Sequence, residues 1–257
     1  MNSTPNPFQY LLFDLDGTLT DPKEGITKCV QYSLHRLGIE EPDLDKLELF
    51  IGPPLAFSFR ELYGFDENKI TDAIKFYRER FGTIGLYENE LYPGIKDMLE
   101  ELKAAGKKLA VASSKASVYV LEILQHFEIK EYFDVIVGSE LDGTRTKKEE
   151  VIQEALQQLF IEETDDKEEI SNKEAVDDSG ETSNKATDNK AGRNNYSRVV
   201  MIGDRKFDIQ GAQMFHLANI GVSFGYAPPG ELEEAGADYI VDTVEQLKDF
   251  LLGKNGK

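Results

Sequence analysis

The stretch Tyr10–Asp21, YLLFDLDGTLTD, restricts this chain more than any other. Four mostly apolar residues, Tyr10 to Phe13, run into Asp14, Asp16, Gly17 and Thr18. A short apolar run closed by turn residues suits a strand buried on both faces, as in a parallel sheet. Buried carboxylates are costly unless paired, hydrogen-bonded or bound to metal. Two acids at the end of a buried strand therefore read as chemical residues, because ligands of open α/β sheets bind beyond the carboxyl ends of the strands.

The rest of the chain supports that sheet. Lys108–Ser113, Phe133–Val137, Val199–Gly203, Ala218–Val222 and Tyr239–Val241 read as further strands. Helical patterns lie between several of them, at Ile95–Leu102, Val118–His126 and Lys147–Phe160, and one at Val244–Leu252 closes the series. Strands alternating with helices imply a mainly parallel sheet covered on both faces, a Rossmann-like α/β core. Residues 22–90 differ. Ile26, Cys29, Val30, Leu34 and Leu37 recur at helical spacing, Ala56–Tyr63 and Thr71–Phe81 follow, and no clear strand interrupts them. The expected organisation is a core formed by residues 1–21 and 91–257, with a helical cap at 22–90. Glu162 to Ser197 is dense in acids, Lys, Asn and Ser, with Ile170 and Val176 as its only aliphatic residues besides alanine. It lacks the apolar surface to offset its ordering entropy and reads as a disordered or loosely helical insertion whose partner, if any, is unknown.

Charge and cysteine content narrow the function. With 257 residues and a net charge of −19, the chain lacks the basic surface that nucleic-acid polymers or anionic membranes require. The single cysteine, Cys29, excludes an intrachain disulfide and sits on an apolar stripe as a packed thiol. The first residues, MNSTPNPFQ, do not resemble a secretory signal, and the expected location is the cytoplasm.

Polar residues gather where a parallel sheet would bring them together. Asp14 and Asp16 follow the first strand, Ser113 and Ser114 close the second, Lys147 and Lys148 open the helix after the third, and Asp204 and Asp208 follow the fourth. Converging carboxylates repel and raise one another's pKa, which a divalent cation resolves; all-oxygen ligands suit Mg²⁺. His35, His126 and His216 share no spacing and read as structural or exposed.

DLDGTLTD, VASSK, KKEEVI and MIGDRKFD resemble, in order, the four motifs of the haloacid dehalogenase-like hydrolase superfamily. DPKEGI, FIGPPL, LDGTRTKKEEVI and FGYAPPGELEEAGADYIV resemble its phosphoglycolate phosphatase-like and bacterial 5′-nucleotidase-like branch, although Gly225-Tyr226-Ala227 departs from the Gly-Tyr-Gly expected there. The resemblance implies a Mg²⁺-dependent phosphatase working through an aspartyl-phosphate on Asp14, with Asp16 as general acid and base. It implies Ser113, with Ser114 as rival, as a phosphoryl donor, and Lys148, with Lys147 as rival, as the neutralising cation. Asp14, Asp16 through its carbonyl, Asp204 and Asp208 are the implied metal residues. Gly17, Thr18, Ser114, Lys115 and Arg145 are candidates for substrate contact, and Lys23 and the Gly52-Pro53 turn for specificity. The implied partner is a small phosphorylated metabolite: a nucleoside 5′-monophosphate first, then 2-phosphoglycolate or pyrophosphate. A catalytically silent regulator on the same fold is the alternative of another class.

Overall fold

The computed structural model describes residues 7–171 and 196–254, with side chains omitted from 161 to 171. β1 (Tyr10–Phe13) leads into β2 (Thr20–Asp21), α1 (Lys23–Arg36), a 3₁₀ turn at Asp45–Phe50, α2 (Leu55–Tyr63) and α3 (Glu67–Arg80). A π-turn at Phe81–Gly85 precedes β3 (Glu90–Leu91), α4 (Ile95–Ala104), β4 (Lys108–Ala116), α5 (Ser117–His126) and β5 (Val135–Ser139). Then come α6 (Lys148–Ser171), β6 (Val199–Gly203), α7 (Lys206–Met214), β7 (Ala218–Val222), α8 (Glu231–Glu234), β8 (Tyr239–Val241) and α9 (Val244–Leu251).

Six strands form one sheet in the order β5-β4-β1-β6-β7-β8, and every neighbouring pair is parallel. Alternation along the strands sends side chains to two cores. Leu11 and Phe13 join Leu109, Val111, Val200 and Ile202 under α4, α5 and α9. Tyr10 and Leu12 join Ala110, Ala112, Val199 and Met201 under α6, through Val151, Ile152 and Leu156. Strands buried on both faces explain the unbroken apolar runs.

β1 lies between β4 and β6, so the chain leaves β1 toward one sheet edge and returns on its other side at β6. That reversal opens a crevice at the carboxyl ends of β1 and β6. β2 and β3 pair antiparallel as a two-residue ribbon through which the chain leaves for, and returns from, α1–α3. The ribbon escaped the sequence reading because two residues carry no periodicity.

Other differences have local causes. The second strand runs three residues past Ser113, with an irregular register against β5 between Ala112 and Ala116. The third starts at Val135 because Lys130–Tyr132 forms a 3₁₀ turn. α7 was not anticipated; its apolar residues are few and Gly211 interrupts them, but Gly211 lets the helix approach Lys148 and Ile152 closely. α6 continues to Ser171, well into the stretch read as an insertion, and residues 172–195 of that stretch lie outside the described residues. No described helix is long and apolar enough to cross a membrane.

Candidate active site

Parallel pairing of β1 with β6 sets Phe13 beside Ile202, so the next residues, Asp14 and Gly203-Asp204, emerge side by side. The Asp14 amide continues the ladder by donating to Ile202 O at 2.9 Å, and its Oδ1 accepts from the Leu15 amide at 2.7 Å. The loop then folds back on itself, with Leu19 and Thr20 amides donating to Leu15 O and the Gly17 amide to Thr20 O. Gly17 has φ +80°, and a Cβ there would lie 2.1 Å from Asp204 Oδ2. Only glycine gives both the left-handed backbone and the close approach.

Asp14, Asp204 and Asp208 form the centre. All are buried, and one carboxylate oxygen from each lies within 4.8 Å of the others. Asp204 Oδ2 accepts from the Tyr226 amide at 2.7 Å, while its buried Oδ1 has no hydrogen-bond partner among the described residues. Burial, with Asp208 and Asp14 nearby, pushes the Asp204 carboxyl well above the usual range. Asp208 Oδ2 accepts from the Arg205 amide at 3.0 Å, and burial raises its carboxyl to about 6 against the opposing pull of Lys148.

Lys148 lies between two of these acids. Its Nζ is 2.9 Å from Asp14 Oδ1 and 2.7 Å from Asp208 Oδ1, and it donates to Ala112 O at 3.0 Å. Burial works against its charge, but the two carboxylates outweigh it and hold the ammonium above its ordinary pKa. The neighbouring Lys147 is exposed. One cation cannot neutralise three acids. The orphaned Asp204 oxygen and the all-carboxylate donor set therefore fit a hard divalent cation held by Asp14, Asp204 and Asp208.

Asp16 stands outside this three-acid group. Its Oδ2 is 2.9 Å from Lys115 Nζ, and its buried Oδ1 has no hydrogen-bond partner among the described residues. Burial raises the Asp16 carboxyl, Lys115 opposes the rise and Asp14 adds to it. Lys115 Nζ also sits 4.4 Å from the centroid of the Phe81 ring. Asp16 and Lys115 open on a cavity of about 250 Å³ between the sheet and the helical segment, whose other walls include Ser114, Tyr77, Phe81 and Tyr119.

The other expected residues are distributed unevenly. Ser113 is buried, and its Oγ accepts a long 3.4 Å bond from the Lys115 amide. Thr18 is fully buried, its hydroxyl has no hydrogen-bond partner among the described residues, and it is not among the cavity-lining residues. Arg145 turns into its own loop: it donates to Gly138 O at 2.9 Å and pairs with Glu140, and Thr146, not Arg145, lines the cavity. Lys23 pairs with Asp45 and Glu48 near the 3₁₀ turn, whereas Gly52 and Pro53 do line the cavity. Cys29 is buried beside Arg80, and burial pushes its thiol up to about 11, which suits packing and not nucleophilic chemistry. Sequence reasoning missed Tyr77, Tyr119 and Arg78 on the cavity wall, because their helical spacing reads as ordinary core. It also missed Arg205, whose buried charge inside GDRKFD was the available signal.

Comparison with known proteins adds to the geometry. Residues 11–176 match the family described as haloacid dehalogenase-like hydrolase, and residues 172–247 match a HAD-hydrolase-like family. A 5′-nucleotidase from Pseudomonas aeruginosa is 45% identical over 222 residues, covering 86% of each chain. The crystal structure of a predicted phosphatase from Clostridium acetobutylicum superposes with a TM-score of 0.80 at 42% identity, covering 95% of this chain and 98% of that one. Tyrosine-protein kinase PtkA of Mycobacterium tuberculosis is 31% identical over 95% of this chain and 72% of its own.

Proposed function

Since the chain belongs to the haloacid dehalogenase-like hydrolase family and is a phosphatase of it, we propose that it hydrolyses nucleoside 5′-monophosphates with Mg²⁺ held by Asp14, Asp204 and Asp208. The observation that carries this reading is Lys148 buried between Asp14 and Asp208, with Asp204 beside them carrying a free oxygen. That arrangement sets a buried cation against the Asp14 carboxylate in a site able to take up the charge of a phosphate.

In the reaction proposed, an Asp14 carboxylate oxygen attacks phosphorus, and the bond to the leaving oxygen breaks with a proton supplied by Asp16. Burial raises the Asp16 carboxyl, the direction that suits a proton donor. Asp16, now a carboxylate, then takes a proton from water, whose oxygen attacks the aspartyl-phosphate, releasing inorganic phosphate and restoring Asp14. Lys148 balances the Asp14 charge throughout, and the Asp16 backbone N–H with Ser113 is assigned to the phosphoryl oxygens. Bound Mg²⁺ would supply charge for the phosphoryl oxygens. Residues 22–90 act as the cap over this site, with the β2–β3 ribbon as their attachment.

The choice of nucleoside rests on the cavity beside Asp16. Its aromatic residues suit a planar base, and a two-carbon acid would leave most of its volume to water. Its lining cations are Lys115, which faces Asp16 at 2.9 Å, and Arg78, which donates to Leu141 O. A silent regulator finds no support in the side chains, since none of the acids or the lysine is lost. The test is release of inorganic phosphate from a panel of mononucleotides, 2-phosphoglycolate, pyrophosphate and phosphotyrosine, with Mg²⁺ and with EDTA. Highest kcat/KM on a mononucleotide, lost in EDTA and in Asp14→Asn, is expected. Metal-independent turnover, or full activity in Asp14→Asn, would refute the mechanism, and preference for 2-phosphoglycolate would refute the substrate.

A further inference from the structure

Arg205 follows Asp204 directly, yet its guanidinium leaves the acid cluster. Its side chain is buried and forks onto Glu231, with Nε 2.8 Å from Oε1 and Nη2 3.3 Å from Oε2. The Lys206 amide donates to the same Glu231 oxygen at 3.1 Å, which fixes the carboxylate in place. Nη1 points the other way and donates to Ile51 O, in the turn between the 3₁₀ segment and α2 of the cap. Gly52 packs on the arginine stem with φ +99°, and a Cβ there would come within 2.6 Å of Arg205 Cγ. Across the cavity the polarity reverses: Arg78, on cap helix α3, donates from Nη1 to Leu141 O at 2.8 Å in the loop after β5. Gly52, Pro53 and Arg78 all line the cavity beside Asp16.

We propose that Arg205 is a positioning residue for cap closure. It clamps the Ile51–Gly52 turn over the cavity, so hydrolysis of esters with large leaving groups depends on it and hydrolysis of small ones does not. This rests on the phosphatase reading above. The two-point fork to Glu231 already satisfies the core side of the guanidinium. Its third arm reaches the backbone of a segment that joins the core through a two-residue ribbon, and glycine at the point of contact admits the stem. The Arg205 amide holds Asp208, so the residue that orders the acid centre through its backbone carries the cap turn through its side chain. Charged hydrogen bonds to a carbonyl exchange for water when the cap opens, so the clamp biases closure by about tenfold. Only a leaving group long enough to fill the cavity gains from that bias.

Arg205→Lys keeps a positive charge beside Glu231 but cannot both fork there and reach Ile51 O. Gly52→Ala attacks the same contact from the cap. Steady-state kinetics are measured for each on the best large ester of the substrate panel and on acetyl phosphate. Expected is a rise of about tenfold in KM for the large ester in both variants, with kcat/KM for acetyl phosphate within about twofold of wild type in Arg205→Lys. In an Arg205→Ala background, Gly52→Ala should raise KM by less than it does alone, because the stem atom its methyl would strike is gone and only the strain of its φ of +99° remains. Parallel losses on both substrates that track Tm would assign Arg205 to stability alone and overturn the proposal, as would unchanged kinetics or additive effects. If wild type hydrolyses neither substrate, the phosphatase reading itself fails and this inference falls with it.

Discussion

Stripped of divalent metal, this protein should become more stable as the pH falls from neutrality, the reverse of the usual response. Most folded carboxylates have depressed pKa values, and acid removes the stability they contribute. Asp204 and Asp208 are different: burial raises both, Asp208 to about 6, from an ordinary value of 3.8. A carboxyl whose folded pKa exceeds its unfolded one binds protons more tightly in the native state. It therefore destabilises the fold fully above its folded pKa, and that loss is recovered as the pH drops toward the unfolded value. For Asp208 alone the recovery between about pH 7.5 and about pH 5 is on the order of 1 kcal/mol. Asp204 and Asp16, also raised by burial, act in the same direction. Glu88, Asp134 and Glu231 have lowered values, so their contributions are lost at more acid pH and do not cancel the rise. The assay is urea unfolding followed by circular dichroism, since the chain has no tryptophan. It is run in EDTA across that pH range, with enough salt to screen the net charge of −19. Saturating Mg²⁺ should suppress the rise, because a bound cation keeps the acids ionised. Stability that is flat or falling in EDTA, or a rise undiminished in the Asp204→Asn/Asp208→Asn double variant, would refute the electrostatic reading of the centre.

Other substitutions test neighbouring parts of the structure. Lys148→Met leaves Asp14 and Asp208 without their shared cation; denaturation should show a loss of about 3–5 kcal/mol in metal-free protein near neutrality, and turnover should disappear. Asp16→Asn should lower kcat/KM about 10²–10⁴-fold on alkyl phosphates and much less on p-nitrophenyl phosphate, whose leaving group departs without a proton; equal losses in kcat/KM on both would remove Asp16 from the role of general acid. Gly25→Ala places a methyl 2.1 Å from Gly85 O where α1 meets the π-turn, and backbone cannot rotate away. A loss of about 1–3 kcal/mol is expected by thermal unfolding, and a wild-type Tm would show that the two segments part easily.

The parallel sheet was legible because strands buried on both faces must be apolar throughout, and runs such as YLLF and VVMIG end sharply in acids. β1, β6, β7 and β8 have the bounds read from the sequence. The acids themselves were legible too, since a carboxylate at the mouth of a buried strand has few structural explanations. α7 and the β2–β3 ribbon were not, one because its periodic signal is broken and the other because two residues have no period.

Local chemistry along the chain therefore determined which residue types stand at which strand ends. Which of them meet was decided only in three dimensions. Lys147 and Lys148 are alternatives in sequence, but helix phase turns one to solvent and the other between Asp14 and Asp208. Arg145 and Lys115 both look like substrate cations, yet one is spent on its own loop and the other faces Asp16. Arg205 and Ile51, far apart in the chain, touch only because the ribbon folds the helical segment back over the crevice. Burial and pairing are properties of that assembled volume, so the energies that set each carboxylate's charge arise there and not in the order of residues.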